Sequence, residues 1–188
     1  MNYKIFVISV LLSLMGFTFA HCQTGREATD TGAMLVSGLF SFSSQGGDLY
    51  DGFRDDRVTT IAIVPSLFYF ITPGLGVGGD LSLNRASQGD FSTTTFGIGP
   101  KAGYFFDSGT NMIPFVGAGV NYLSLDFGND NQGGLRFKFA GGVFIRKGHL
   151  AVGIEVGYLY DRFKPEGFSE SITGNTILIG AGFGGFLY

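Results

Sequence analysis

Apolar side chains recur at every second position in several stretches of this chain, with small or polar residues between them. Residues 150–160, LAVGIEVGYLY, put Leu150, Val152, Ile154, Val156, Tyr158 and Tyr160 on one face and Ala151, Gly153, Glu155, Gly157 and Leu159 on the other. Residues 135–145 set Leu135, Phe137, Phe139, Gly141, Val143 and Ile145 against Arg136, Lys138, Ala140, Gly142 and Phe144, and residues 75–83 set Leu75, Val77, Leu81 and Leu83 against Gly76, Gly78, Asp80 and Ser82. A period of two is the period of a β-strand. Glycine and charge on one face with bulky apolar groups on the other predict lipid outside and a crowded, polar interior.

Five further segments complete a set of eight, one of them lying between the polar stretch at 84–90 and the turn at 107–110. Residues 112–127 change face, since Val116, Ala118, Val120 and Tyr122 alternate in one phase and Leu123, Leu125 and Phe127 in the other, which predicts a bulge near Tyr122. Residues 33–43 and 57–71 alternate less cleanly and place Val64, Phe68 and Phe70 inside. The last segment, 175–188, carries Ile177, Ile179, Ala181, Phe183 and Leu187 outward and Gly180, Gly182 and Gly184 inward. Between the segments, long polar stretches at 44–56, 84–90, 128–133 and 164–174 alternate with tight turns at 72–74, 107–110 and 147–148. The expected fold is therefore all-β: an eight-stranded antiparallel up-and-down transmembrane β-barrel with long loops at one end and short turns at the other. Segments of ten or more residues suffice for tilted strands to cross the hydrocarbon core. Eight strands enclose a lumen that side chains fill, so an open pore is not expected.

The first residues supply a compartment. Lys4 precedes an apolar run over 5–20 that is too short for a spanning helix and ends in small residues, the pattern of a cleaved signal peptide. Thr18 and Ala20 suit cleavage before His21; Ala20 and Cys22 suit cleavage before Gln23. The expected organisation is a signal peptide over 1–20, extending to 22 on the second reading, and one barrel domain over 21–188. Cys22 is the single cysteine, so an intramolecular disulfide is impossible, and His21 just before it departs from the small residue of a lipoprotein signal. Among 188 residues, 32 glycines, 21 phenylalanines and only 14% charged residues argue against disorder, and a net charge of -3 with scattered basic residues argues against nucleic-acid binding.

With these features the chain resembles the small eight-stranded outer-membrane β-barrel family of the OmpA transmembrane domain and OmpX-like proteins, in particular its Bacteroidetes-type outer membrane protein beta-barrel domain. The likeness spans the mature chain and rests on the leader, on PFVGAGVNY at 114–122 and on the closing GAGFGGFLY, whose terminal aromatic is similar to the insertion signal read by the barrel-assembly machinery. It implies a porin-like outer-membrane protein of a Gram-negative cell with both termini periplasmic, set among outer-membrane lipid and lipopolysaccharide. Phe68, Tyr69, Phe70, Tyr104, Phe105, Phe106, Phe186 and Tyr188 then read as a girdle at the inner rim, and Tyr122, Phe127, Tyr158, Tyr160 and Phe163 as one at the outer rim.

Candidate chemistry is confined to the lumen and the loops. Asp80, Lys101, Arg136, Lys138 and Glu155 are expected to form an inward charge network, structural if paired and a conduction path if not. Some barrels of the resembled family modify lipid A with a His, a Ser and an acid near the outer rim. Here His21 lies at the N-terminus and His149 beside a short turn, so neither is placed as such a base. The acidic stretch 44–56, with Asp48, Asp51, Asp55 and Asp56, matches neither a calcium loop nor a phosphate cradle, so no metal or cofactor is expected. The sequence reading is a non-enzymatic barrel acting in envelope integrity or surface interaction, with a narrow channel as the alternative and a lipid-modifying enzyme or lipocalin-like carrier behind it.

Overall fold

A computed structural model describes residues 27–45, 58–89, 91–107, 109–126, 131–163 and 172–188. Eight strands follow one another along the chain: β1 (Met34–Gln45), β2 (Val58–Thr72), β3 (Leu75–Gln88), β4 (Phe91–Phe105), β5 (Met112–Asp126), β6 (Asn131–Lys147), β7 (Leu150–Phe163) and β8 (Ile172–Leu187). Each pairs antiparallel with its neighbours, and β8 returns to β1, so the sheet is a closed barrel in the order of the sequence. Its polarity is inverted relative to a water-soluble barrel. The outer face of β7 exposes Leu150, Val152, Ile154, Val156, Tyr158 and Tyr160, while Ala151, Gly153 and Leu159 are buried within.

The short turns lie where expected, and three of them use glycine at positive φ: Gly74 at 77°, Gly109 at 72° and Gly148 at 62°. At Gly74 a side chain is excluded twice over, since a β-carbon would also meet the Phe105 carbonyl oxygen at 2.7 Å. The segment just ahead of β1 closes this end of the barrel. Ala28, Thr29 and Ala33 are buried, the Gly74 amide donates to the Thr29 carbonyl (2.9 Å) and the Gly32 amide to the Phe70 carbonyl (2.8 Å).

Three expectations from the sequence need correction. The stretch 84–90 is not a long loop: β3 and β4 stay paired out to Gln88↔Phe91, around a turn at Gly89. Polar residues there face Thr-rich β4, as in Asn84↔Thr95 and Arg85↔Thr94, and threonine is a good strand former, so the ladder outruns the apolar band. The connection at 128–133 is also shortened, because β6 already begins at Asn131. Second, β5 has no bulge near Tyr122. Its register with β6 is unbroken from Met112↔Ile145 to Asp126↔Asn131, and Leu123 is an inward side chain of 0% exposure. The irregularity falls instead between Phe70 and Thr72 of β2.

The third correction concerns the aromatic residues. Tyr69, Tyr104 and Phe106 are exposed on the outer face, as a girdle requires, but Phe68, Phe70, Phe105 and Phe186 are buried inside. Alternation splits each aromatic run between two environments. At the other end Tyr122, Tyr158 and Tyr160 are outward, whereas Phe163 lies against Gly134 across the β6–β7 pair. Phe127, the leader expected at 1–20, most of the 44–56 and 164–174 stretches, and His21 and Cys22 fall outside the described residues.

Candidate functional site in the barrel interior

Near the short turns the interior is a layer of phenyl rings. Phe105 of β4 is its centre, with ring centroids 5.1 Å from both Phe68 and Phe70, 5.5 Å from Phe115 and 6.4 Å from Phe144; Phe186 completes the layer beside Phe70 and Phe144. Luminal glycines make the space. A β-carbon on Gly142 would come within 2.8 Å of the Phe115 ring, and one on Gly153 within 2.8 Å of the Phe144 ring. Ring and glycine are complementary halves of the same packing, which is why inward glycines and inward phenylalanines occur together. Val64, Phe68 and Phe70 stand inside as their phase in β2 requires.

Charge begins beyond the rings. All five residues expected in the luminal network point inward, each taken up in an ion pair. Lys101 of β4 lies 3.9 Å from Asp80 of β3 and 4.1 Å above the Phe68 ring, so one ammonium meets both a carboxylate and an aromatic face. Asp80 also accepts a hydrogen bond from the Asn121 side-chain amide of β5. Lys138 of β6 meets Glu155 of β7 at 2.6 Å. Arg136 of β6 grips Asp161 of β7 through two bonds of 2.7 Å, Nε to Oδ1 and Nη2 to Oδ2. Three cations thus face three carboxylates, and the pairs cancel. Beside them, on the adjoining β1–β2 pair, the Ser37 and Ser66 hydroxyls are 2.7 Å apart, Ser66 standing across from Asp80 in the β2–β3 register.

Asp161 and Asn121 escaped the sequence reading for identifiable reasons. Asp161 continues the phase of Glu155 one step beyond Tyr160, outside the segment 150–160 that the alternation marks. Asn121 shares the phase of Gly117 and Gly119, but the expected bulge broke that count. Between the rings and the ion pairs lies a cavity of about 50 Å³, bordered by Ser37, Ser66, Lys101, Lys138 and Glu155 on its polar side and Leu39, Phe68, Phe115 and Phe144 on its apolar side. That is room for a few water molecules and little more.

His149 stands apart from these charges, in the turn before β7: its Nδ1 is 3.1 Å from the Phe186 carbonyl oxygen and its ring 4.8 Å from that of Tyr188. Tyr188, just past β8 and in the phase of the buried Phe186, also accepts a hydrogen bond from Arg146 at 3.4 Å. These contacts fasten the last residues of the chain to the short-turn end.

No protein-family model matches the chain, and no curated protein sequence does. Solved structures that are similar to it include Neisserial surface protein A (NspA), 20% identical over 81% of this chain and 94% of that one, with a TM-score of 0.48. OprG from Pseudomonas aeruginosa is 14% identical over 85% and 98% of the two chains, with a TM-score of 0.49. The outer membrane enzyme PagL is 10% identical over 82% and 99%, with a TM-score of 0.43.

Proposed function

We propose that this chain is a non-enzymatic, integral outer-membrane barrel whose interior is closed to bulk flow and which serves envelope integrity or surface interaction through its loops. The observation that carries the reading is the pairing of an apolar outer face around a closed barrel with an interior filled by six phenyl rings and three mutually neutralising ion pairs. Apolar residues exposed all round a closed sheet are stable only in hydrocarbon, because in water so much contiguous apolar surface would drive association. Over the height where every strand has two partners, the closed barrel satisfies its backbone groups internally, as a membrane demands. The short-turn end is assigned to the periplasm, and the opposite end, with the longer connections, to the cell surface.

The phenyl layer supports closure over conduction. An ion crossing the barrel would have to displace close-packed rings at the centre of the lumen, and the charges beyond the layer are occupied with one another. A non-enzymatic role is favoured by the position of His149, engaged with Phe186 and Tyr188 at the short-turn end and not at the surface where a lipid headgroup would be met.

Two measurements test the reading. Outer-membrane fractions should contain a form that migrates faster unheated than boiled; a soluble product without that shift sinks the membrane assignment. The refolded barrel in a planar bilayer should then be silent. Reproducible current steps that change with Lys138→Gln or Glu155→Gln would make the luminal charges a conduction path instead.

A further inference from the structure

The barrel is not zipped along its whole height. β1 and β8 pair from Met34↔Leu187 to Phe40↔Ala181 and no further, although β1 remains paired with β2 as far as Gln45↔Val58 and β8 with β7 as far as Phe163↔Ile172. Among the described residues, 41–45 and 172–180 are therefore strand segments with one paired edge and no partner strand on the other, facing each other across a split. Part of this split lies at the height of the apolar band, since the outward side chains bordering it are Phe42 (62% exposed), Ile177 (72%) and Ile179 (70%). In hydrocarbon no solvent supplies hydrogen bonds to bare N–H and C=O groups, so such an edge calls for a partner strand.

Strand sense selects the partner. β1 and β8 run antiparallel. A single foreign strand inserted into the split would be antiparallel to one edge and parallel to the other, so it could not pair in the same way with both. A second copy of this chain, related by a two-fold axis along the barrel axis, keeps both barrels upright in one membrane. It brings β1 of each copy to β8 of the other in the antiparallel sense these strands already use lower in the wall, and both bare edges close at once. Pairing β8 with β8 by the same operation would be parallel and would leave β1 bare. We propose that the chain forms a two-fold dimer through reciprocal β1–β8 strand pairing across the split seam, with Phe42, Ile177 and Ile179 at its apolar centre. The proposal rests on the membrane reading, because lipid is what makes the bare edges costly.

Continuing the β1–β8 register beyond Phe40↔Ala181 sets Phe42 opposite Ile179. The test therefore uses the full chain with Cys22→Ser and either Phe42→Cys or Ile179→Cys, the two variants refolded together into phosphatidylcholine vesicles and oxidised. Both positions are exposed on the outer wall, and the unheated gel shift verifies folding in each sample. A disulfide-linked pair of chains is expected, at least tenfold above a control that combines Phe42→Cys with Val120→Cys on the distant β5 wall. A second variant carries Phe42→Cys and Ile179→Cys in one chain. In the proposed dimer these two positions meet across the reciprocal interface, so oxidation should link this variant between chains, reversibly on reduction, whereas an internal disulfide without linkage between chains would overturn the proposal. Linkage between chains no greater than the control, or a monomer before and after reduction, would overturn the proposal. Loss of the gel shift in the parent protein would instead indict the membrane reading.

Discussion

Gly153 and Phe144 are cross-strand partners, and their pairing shows how far the environment of one residue can differ from its appearance in sequence. By composition alone, Gly153→Ala is the mild neighbour of Ile154→Arg. In the folded barrel the new methyl group would press on the Phe144 ring inside a packed layer, so Gly153→Ala is expected to cost about 1–3 kcal/mol, the usual range for overpacking. Ile154 is exposed on the outer face, and an arginine there should cost about 2–4 kcal/mol if it sits at mid-bilayer. Equilibrium urea unfolding in lipid vesicles measures both; a neutral Ile154→Arg would place that face outside the hydrocarbon. Among the charges, Asp80 is the most consequential, being buried and shared by Lys101 and Asn121. Asp80→Ala strands a buried ammonium and should cost about 3–5 kcal/mol, whereas Asp80→Ala combined with Lys101→Met should recover most of that loss. If the double variant is no better than the single, the ion pair is not what holds Asp80 in place.

At the level of elements, the strands outrun the apolar band. The β3–β4 hairpin keeps its ladder through Asn84, Arg85, Ala86 and Ser87, residues whose polarity reads as loop in the sequence. Four residues inserted after Gly89, in the turn, should leave the heat-shifted folded form intact, while the same insertion after Arg85 should abolish it by throwing Ser87 and Gln88 out of register. Equal tolerance at both positions would restore the loop reading. β5 teaches the converse lesson. Leu123 breaks the small-inside pattern, which suggested a bulge, yet the strand is regular and Leu123 fills the space left by Gly97, where a β-carbon would come within 2.8 Å of its side chain. Leu123→Ala should therefore cost about 2–5 kcal/mol, the range for a buried leucine, and a negligible loss on unfolding would mean that Leu123 turns outward after all.

For the whole molecule, stability and closure come from one structure, the phenyl layer bracketed by the N-terminal turn on one side and the ion pairs on the other. Phe105→Ala removes its central ring and should cost about 3–5 kcal/mol in the same unfolding measurement. The sequence by itself determined the class of architecture, the strand phases that send Asp80, Lys101, Arg136, Lys138 and Glu155 inward, and the short turns at Gly74, Gly109 and Gly148. It could do so because alternation and glycine at turns are local properties, written every two residues along a strand. Only the tertiary structure decided which carboxylate meets which cation, that part of each aromatic run fills the lumen, and that the β1–β8 seam closes over part of its height. Those facts depend on the stagger of strands far apart in the chain around a closed sheet, and no local pattern records that stagger.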